Sequence, residues 1–260
     1  MRVKSPKVFA AVLMFGLLLC ASSTAYADAF ALTSFSFNNF QFTPSAGTGQ
    51  LTLSTALARA DVGFFQGVNI TNSSTSFPIA QASAVLNGFS ASATADATTN
   101  SVGGTSSAFL GDCTCQGGAS GFAMLTGTLV LSGVDGPVDV NITALREFMW
   151  QVQTDVFGRY AESGLTMDVL VNGSIVFSLQ VDALHPLTGP NLSSAQSLVV
   201  QQISRNITLQ GNSTNSIGVR IGATSLVINE VPEPASIVLL VSGLGALTGV
   251  LRKRRKAAGE

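Results

Sequence analysis

Apolar side chains in the middle of this chain return at every second position, a period that fits strands and not helices. Phe35, Phe37, Phe40 and Phe42 alternate with polar residues, with a phase slip at Asn38-Asn39 that suits a β-bulge. Leu51 and Leu53 open another short run, and Ala91, Ala93, Ala95 and Ala97 alternate with Ser92, Thr94, Asp96 and Thr98. Leu125 to Leu131 forms a run ended by Gly133-Val134-Asp135-Gly136-Pro137. The clearest hairpin is Leu165 to Val171, Asn172-Gly173, Ser174 to Val181, because Asn-Gly is the preferred type I′ pair and apolar alternation flanks it. Leu198 to Ile203, Asn206 to Gln210, Ile217 to Ile221 and Ser225 to Ile228 repeat the theme. Many short alternating runs with polar turns predict an all-β antiparallel sandwich over residues 28–230. Alanine-rich 79–97 also fits a helix, and Ala144 to Val152 a short one. Gly- and Ser-rich 98–121 reads as a long loop. No repeat of fixed period is present, which argues against a solenoid or propeller.

The two ends of the chain are of another kind. Arg2, Lys4 and Lys7 precede the apolar run Val8 to Leu19, and Ala25-Tyr26-Ala27 follows as a small-x-small cleavage site. These are the parts of a secretory signal peptide over residues 1–27, a helix removed after Ala27 to leave Asp28 first. Cys20 raises the question of a lipoprotein signal, but Leu19 stands where a small residue is required. At the other end, Ala235 to Leu251 is a 17-residue stretch without charge, followed by Arg252, Lys253, Arg254, Arg255 and Lys256. Seventeen helical residues cover about 25 Å, near the lower limit for a bilayer core of about 30 Å. The basic cluster favours the cytoplasmic side, so a single C-terminal transmembrane helix is expected at 235–251. Gly245 and Gly249 form a small-xxx-small pair of the kind that also occurs without helix pairing. Just before the span, Val231, Pro232, Glu233 and Pro234 form a stiff, extended segment, since each proline lacks an N–H and disfavours the helical region for its predecessor.

Val231-Pro232-Glu233-Pro234, the apolar span and the basic end together resemble the PEP-CTERM sorting signal of Gram-negative bacterial surface and secreted proteins. The resemblance covers residues 231–256 and none of the ectodomain. It implies recognition and processing by an exosortase, an integral-membrane enzyme, with Glu233 and its prolines as the recognition element. It also implies association with exopolysaccharide and biofilm matrix, and a route from a membrane-anchored precursor to the cell surface or medium. The GPI signal, a eukaryotic alternative, normally ends in apolar residues rather than five charges. Seven Asn-x-Ser/Thr sequons (Asn69, Asn72, Asn141, Asn172, Asn191, Asn206 and Asn212) fit either glycosylation or a polar β surface, and the second reading is preferred.

Between its ends, from 28 to 231, the chain has twelve carboxylates, five arginines (Arg59, Arg146, Arg159, Arg205, Arg220) and no lysine, a net charge of −7. Such a domain is a poor nucleic-acid binder, because phosphate contact relies on Lys and Arg. Cys113 and Cys115 are its only cysteines. A Cys-x-Cys pair in an oxidising compartment fits a small local disulfide, with intermolecular pairing or free thiols also open. A metal site would need more ligands nearby.

The inventory for catalysis is thin, and no catalytic residue and no cofactor are expected. His185, the only histidine, lies in the turn-like Leu184-His185-Pro186, and no Gly-x-Ser-x-Gly elbow accompanies it. Glu147 and Glu162 have the residue types of a glycosidase pair but no supporting motif, and read as solvated partners of Arg146 and Arg159. Asp135, Asp139 and Asn141 lack a calcium-loop spacing and read as turn acids. Trp150 and Tyr160 are the only Trp and Tyr after the signal peptide. Phe148-Met149-Trp150 reads as core, with a sugar-stacking platform at Trp150 as the competing view. The expected function is a non-enzymatic surface or matrix protein, linked to exopolysaccharide and biofilm, whose acidic sandwich interacts with polysaccharide or with other copies of itself. The alternative is a dedicated carbohydrate-binding module with a defined site.

Overall fold

The structure, a computed structural model, describes residues 29–65, 67–110, 116–154, 159–181, 187–188 and 192–229. The expected signal helix and transmembrane helix lie outside them. Thirteen strands follow one another: β1 Ala29–Pro44, β2 Thr48–Phe64, β3 Asn69–Ser74, β4 Ile79–Leu86, β5 Phe89–Asp96, β6 Ser101–Leu110 and β7 Gln116–Ser132. They continue as β8 Pro137–Thr154, β9 Arg159–Val171, β10 Ser174–Val181, β11 Leu187–Thr188, β12 Leu192–Gln210 and β13 Thr214–Asn229. One sheet has the order β12-β8-β1-β6-β5-β4, the other β10-β9-β13-β7-β2-β3, with β11 beside β9. Every pairing is antiparallel. The sheets pack face to face, β1 on β13 and β9, β6 on β7 and β13, β5 and β4 on β2. The all-β, two-sheet architecture is therefore the expected one.

The turns follow their residues. Asn172 (φ 51°) and Gly173 (φ 78°) close the β9–β10 hairpin with both central residues left-handed, as a type I′ turn requires. Asn39 (φ 52°) sits in the register shift between Asn38 and Gln41, so the phase slip is a bulge. It turns Phe40 and Phe42 inward after Phe35 and Phe37.

The core has two textures. Phe35, Phe37 and Phe40 on β1, Leu125 and Leu129 on β7 and Met167 on β9 are fully buried. Where β2 faces β4 and β5, the inner residues are alanines: 56, 58 and 60 against 80, 82, 84, 91, 93 and 95. Side chains this short cannot fill the usual ~10 Å between sheets, so the backbones must approach. Gly104 and Gly121 mark that approach, since a Cβ on Gly121 would lie 2.2 Å from the Ser92 carbonyl oxygen. Hydroxyls cross the narrow gap. Thr33 Oγ1 donates to the Thr224 carbonyl (2.8 Å), Ser225 Oγ to that of Ser106 (3.0 Å) and Ser163 Oγ to that of Leu32 (2.9 Å). Buried hydroxyls paired in this way each contribute roughly 1 kcal/mol net and pin one sheet's position on the other.

The sequence reading of 98–121 as a loop is corrected: its described part is β6, the first part of β7 and a short turn, with 111–115 outside the described residues. Its glycines and serines are strand residues that let the sheets close. Neither 79–97 nor 144–152 is helical, and their small-and-polar or large-and-polar alternation is that of half-buried strands. The runs read separately at 198–210 merge into β12 and those at 217–228 into β13.

Candidate functional site

Register and inward–outward alternation decide which side chains can meet. On β8 the even-numbered residues from Val138 to Thr154 face inward, so Glu147 points out from the six-stranded sheet. Ala161, Ser163 and Leu165 are buried on β9, so Glu162 points out from the seven-stranded sheet. The two carboxylates stand on opposite outer faces and cannot share a substrate. Glu147 forms no ion pair with Arg146, its expected partner. Arg146 donates to the Gln201 side chain and lies 5.3 Å from the Phe148 ring centroid, its Nε buried without a partner. Burial holds its pKa below the ordinary arginine value. Glu162 accepts from the Tyr160 hydroxyl.

Trp150 is 7% exposed and belongs to the core cluster. An aromatic face enclosed between sheets is not presented to a sugar, so the expected core reading of Trp150 fits this burial and the competing platform does not. Asp135 and Asp139 are turn and strand acids already engaged. Asn212 Nδ2 donates to Asp135 (2.6 Å), Thr208 to Asp139 (2.7 Å) and Ser204 to Asn141 (2.8 Å). Among the described residues no three His, Cys, Asp or Glu gather in a metal-binding group. Cys113, Cys115 and His185 lie outside the described residues.

Two surface features escaped the sequence reading. The first is a shallow depression of about 480 Å³ on the outer side of β2, β3 and β7, lined by Arg59, Asp61, Phe65, Asn69, Thr71 and Ser120 among others. Three of its polar side chains are bonded to one another. Arg59 Nε donates to Asp61 (2.8 Å), and Thr71 Oγ1 donates to the same carboxylate (2.6 Å). That hydrogen bond, with the charge of Asp61 second, holds the Arg59 pKa above its ordinary value. Such a set can hold a polar ligand. The second feature covers both outer faces: hydroxyls paired across neighbouring strands. Ser90 meets Ser107 and Ser92 meets Thr105 at 2.7 Å each, Thr55 meets Thr126, and Ser178 donates to Asp168 (2.8 Å). The outward halves of the alternating runs carried this signal.

Tyr160 supplies a clean pH probe, as the sole tyrosine after the signal peptide. Burial first, then its hydrogen bond to Glu162 and that carboxylate's charge, push its pKa up from 10.0 to about 12. Below the unfolded value both states hold the proton and the contribution is complete. Above it the unfolded chain ionises first, so stability should fall between about pH 10 and pH 12. Urea unfolding of Tyr160→Phe should lack that alkaline slope, and an identical slope in the variant would exclude this residue as its source.

Strand direction fixes where the two ends of the chain leave the sandwich. Ala29 pairs with Leu110 and Thr154, while Ile228 pairs with Gln116 and Asn229 with Arg159. Because Leu110 and Gln116 are joined by only five residues, β1 starts and β13 finishes at one end of the sandwich. The sorting elements Ala25, Ala27, Val231, Pro232, Glu233, Pro234, Arg252, Lys253, Arg254, Arg255 and Lys256 lie outside the described residues.

Residues 230–256 match the family described as the PEP-CTERM protein-sorting motif. The chain thus carries an exosortase sorting signal on an all-β ectodomain, which marks an exported protein sent to the cell surface by a membrane-associated processing enzyme. No curated protein and no solved structure matches the chain.

Proposed function

We propose that the sandwich acts without catalysis at the cell surface or in the extracellular matrix, holding exopolysaccharide along its outer faces. The observation that carries this reading is the set of cross-strand hydroxyl ladders on both sheets. Closely spaced hydroxyls with few charges suit a polyhydroxylated chain, which can exchange hydrogen bonds with them at many weak positions. In this reading the precursor loses residues 1–27, is held by the 235–251 span with its ectodomain outside the inner membrane, and is cut near Val231–Pro234 by an exosortase.

Two measurements test it. Intact-mass analysis in the native host should give a mature form running from Asp28 to near Pro232-Glu233-Pro234. Glu233→Ala should stay full-length in the membrane, and equal processing of both would remove Glu233 from recognition. Co-sedimentation of the mature protein with the host's exopolysaccharide should show binding that survives 1 M salt, of the order at which charge interactions are screened within about 3 Å. Saturable, selective binding of one oligosaccharide would favour the dedicated module instead, and no binding would end the matrix reading.

A further inference from the structure

The end of the sandwich from which the sorting tail departs carries exposed apolar side chains from both sheets, apart from the exposed Leu198 and Val200 on the edge strand β12. Phe65 and Val68, in the β2–β3 turn, are 63% and 64% exposed. Across the sandwich, Phe109 on β6 is 43% exposed beside the Asn87-Gly88 turn, to which its backbone N–H is bonded at the Gly88 carbonyl, and Val85 on β4 is 70% exposed. The two pairs flank one corner, tied together beneath by the edge-to-face contact of Phe64 and Phe89 at 5.0 Å. The opposite end also shows apolar residues, Phe77 just before β4, Ile79 on β4, and Ile175 and Val176 on β10. Those strands are the outermost members of the two sheets at opposite sides of the sandwich, so they form no common patch.

Chain length says what covers the corner. Phe65 donates its N–H to Gln116 O, and Gln116 stands opposite Ile228, so the turn is two strand spacings, about 10 Å, from the point where β13 ends. Five residues separate Asn229 from Ala235, the first residue of the apolar span, and over six Cα–Cα steps they reach at most about 20 Å. Pro232 and Pro234 lie among them and limit their freedom to fold back. A precursor whose span is in the bilayer therefore holds this end of the sandwich against the membrane surface and the opposite end away from it.

We infer that, before the tail is removed, Phe65, Val68 and Phe109 rest in the interfacial layer of the bilayer that holds residues 235–251. This rests on the reading of 235–251 as a membrane span. Aromatic side chains settle readily at the membrane interface. Their contact fixes the orientation of the sandwich and keeps Val231–Pro234 at the depth where a membrane-embedded processing enzyme works. Removing the tail releases the contact, because three apolar side chains without an anchor bind a membrane weakly and reversibly.

The test is photocrosslinking of the full-length precursor in vesicles of phosphatidylethanolamine and phosphatidylglycerol. Benzoylphenylalanine replaces Phe65, Phe109, Phe77 or Leu244, one at a time, and adducts are identified by mass. Lipid adducts from positions 65 and 109 should exceed those from position 77 by about tenfold, with position 244 labelled as a control for insertion. Labelling at 244 with positions 65 and 77 equal overturns the inference and leaves the span standing. Absence of lipid labelling at 244 overturns the span and the inference with it. Adducts from position 65 to a second copy of the chain, in place of lipid, also overturn it.

Discussion

Gly121→Val should prevent the two sheets from closing. Gly121 lies on the inner face of β7, and the first carbon of any side chain there would sit 2.2 Å from the Ser92 carbonyl oxygen and 2.8 Å from that of Thr105. Both belong to the opposite sheet, and both are main-chain atoms that no rotamer change can move. Overpacking a core usually costs about 1–3 kcal/mol when side chains can yield. Here the sheets themselves must separate, which also stretches the Ser106–Ser225 and Thr33–Thr224 hydrogen bonds. Gly121→Ala is therefore expected at or above about 3 kcal/mol, and Gly121→Val beyond it, a large part of the ~5–15 kcal/mol typical of a domain. Gly103→Ala is the control: its new carbon would meet the Ser36 side chain at 3.6 Å, an ordinary contact, so its urea midpoint should stay close to wild type. Equal midpoints for Gly121→Ala and Gly103→Ala would disprove the close approach at Gly121.

The same narrow gap explains what could be read from the sequence and what could not. Phe35 to Phe42, the Asn38-Asn39 slip and the Asn172-Gly173 turn were legible because large apolar side chains and left-handed asparagines leave strong local signals. Residues 101–110 and 116–121 were not legible, because a strand facing another backbone uses glycine, alanine and serine. Those residues differ little in hydropathy from the polar ones they alternate with, and resemble a loop in composition. The separate runs in β12 had a different cause: Ser204-Arg205-Asn206 interrupts the apolar alternation between Ile203 and Ile207, while pairing with β8 continues in unbroken register. The sorting tail was legible because its recognition rests on residue order and charge. The depression at Arg59 and the apolar corner at Phe65 were not, since each joins residues from several strands whose order in the sheets no local pattern states.

Trp150→Ala should cost stability and leave intrinsic polysaccharide binding alone. The side chain faces inward from β8, opposite Thr33 on β1 and Gln196 on β12 in strand register. Removing a buried indole leaves a void in the core, at about 3–5 kcal/mol. That variant is expected to unfold at markedly lower urea, and its loss of polysaccharide binding would then follow from loss of the fold. Trp150→Phe separates the two effects. It keeps an aromatic ring in the same inward position at a smaller cost, on the order of 1–2 kcal/mol, and should remain folded under binding conditions. Co-sedimentation of Trp150→Phe with exopolysaccharide should equal wild type for each folded molecule. Binding lost in that folded variant would place the ring in a sugar site, and the burial of Trp150 between the sheets would have to be abandoned.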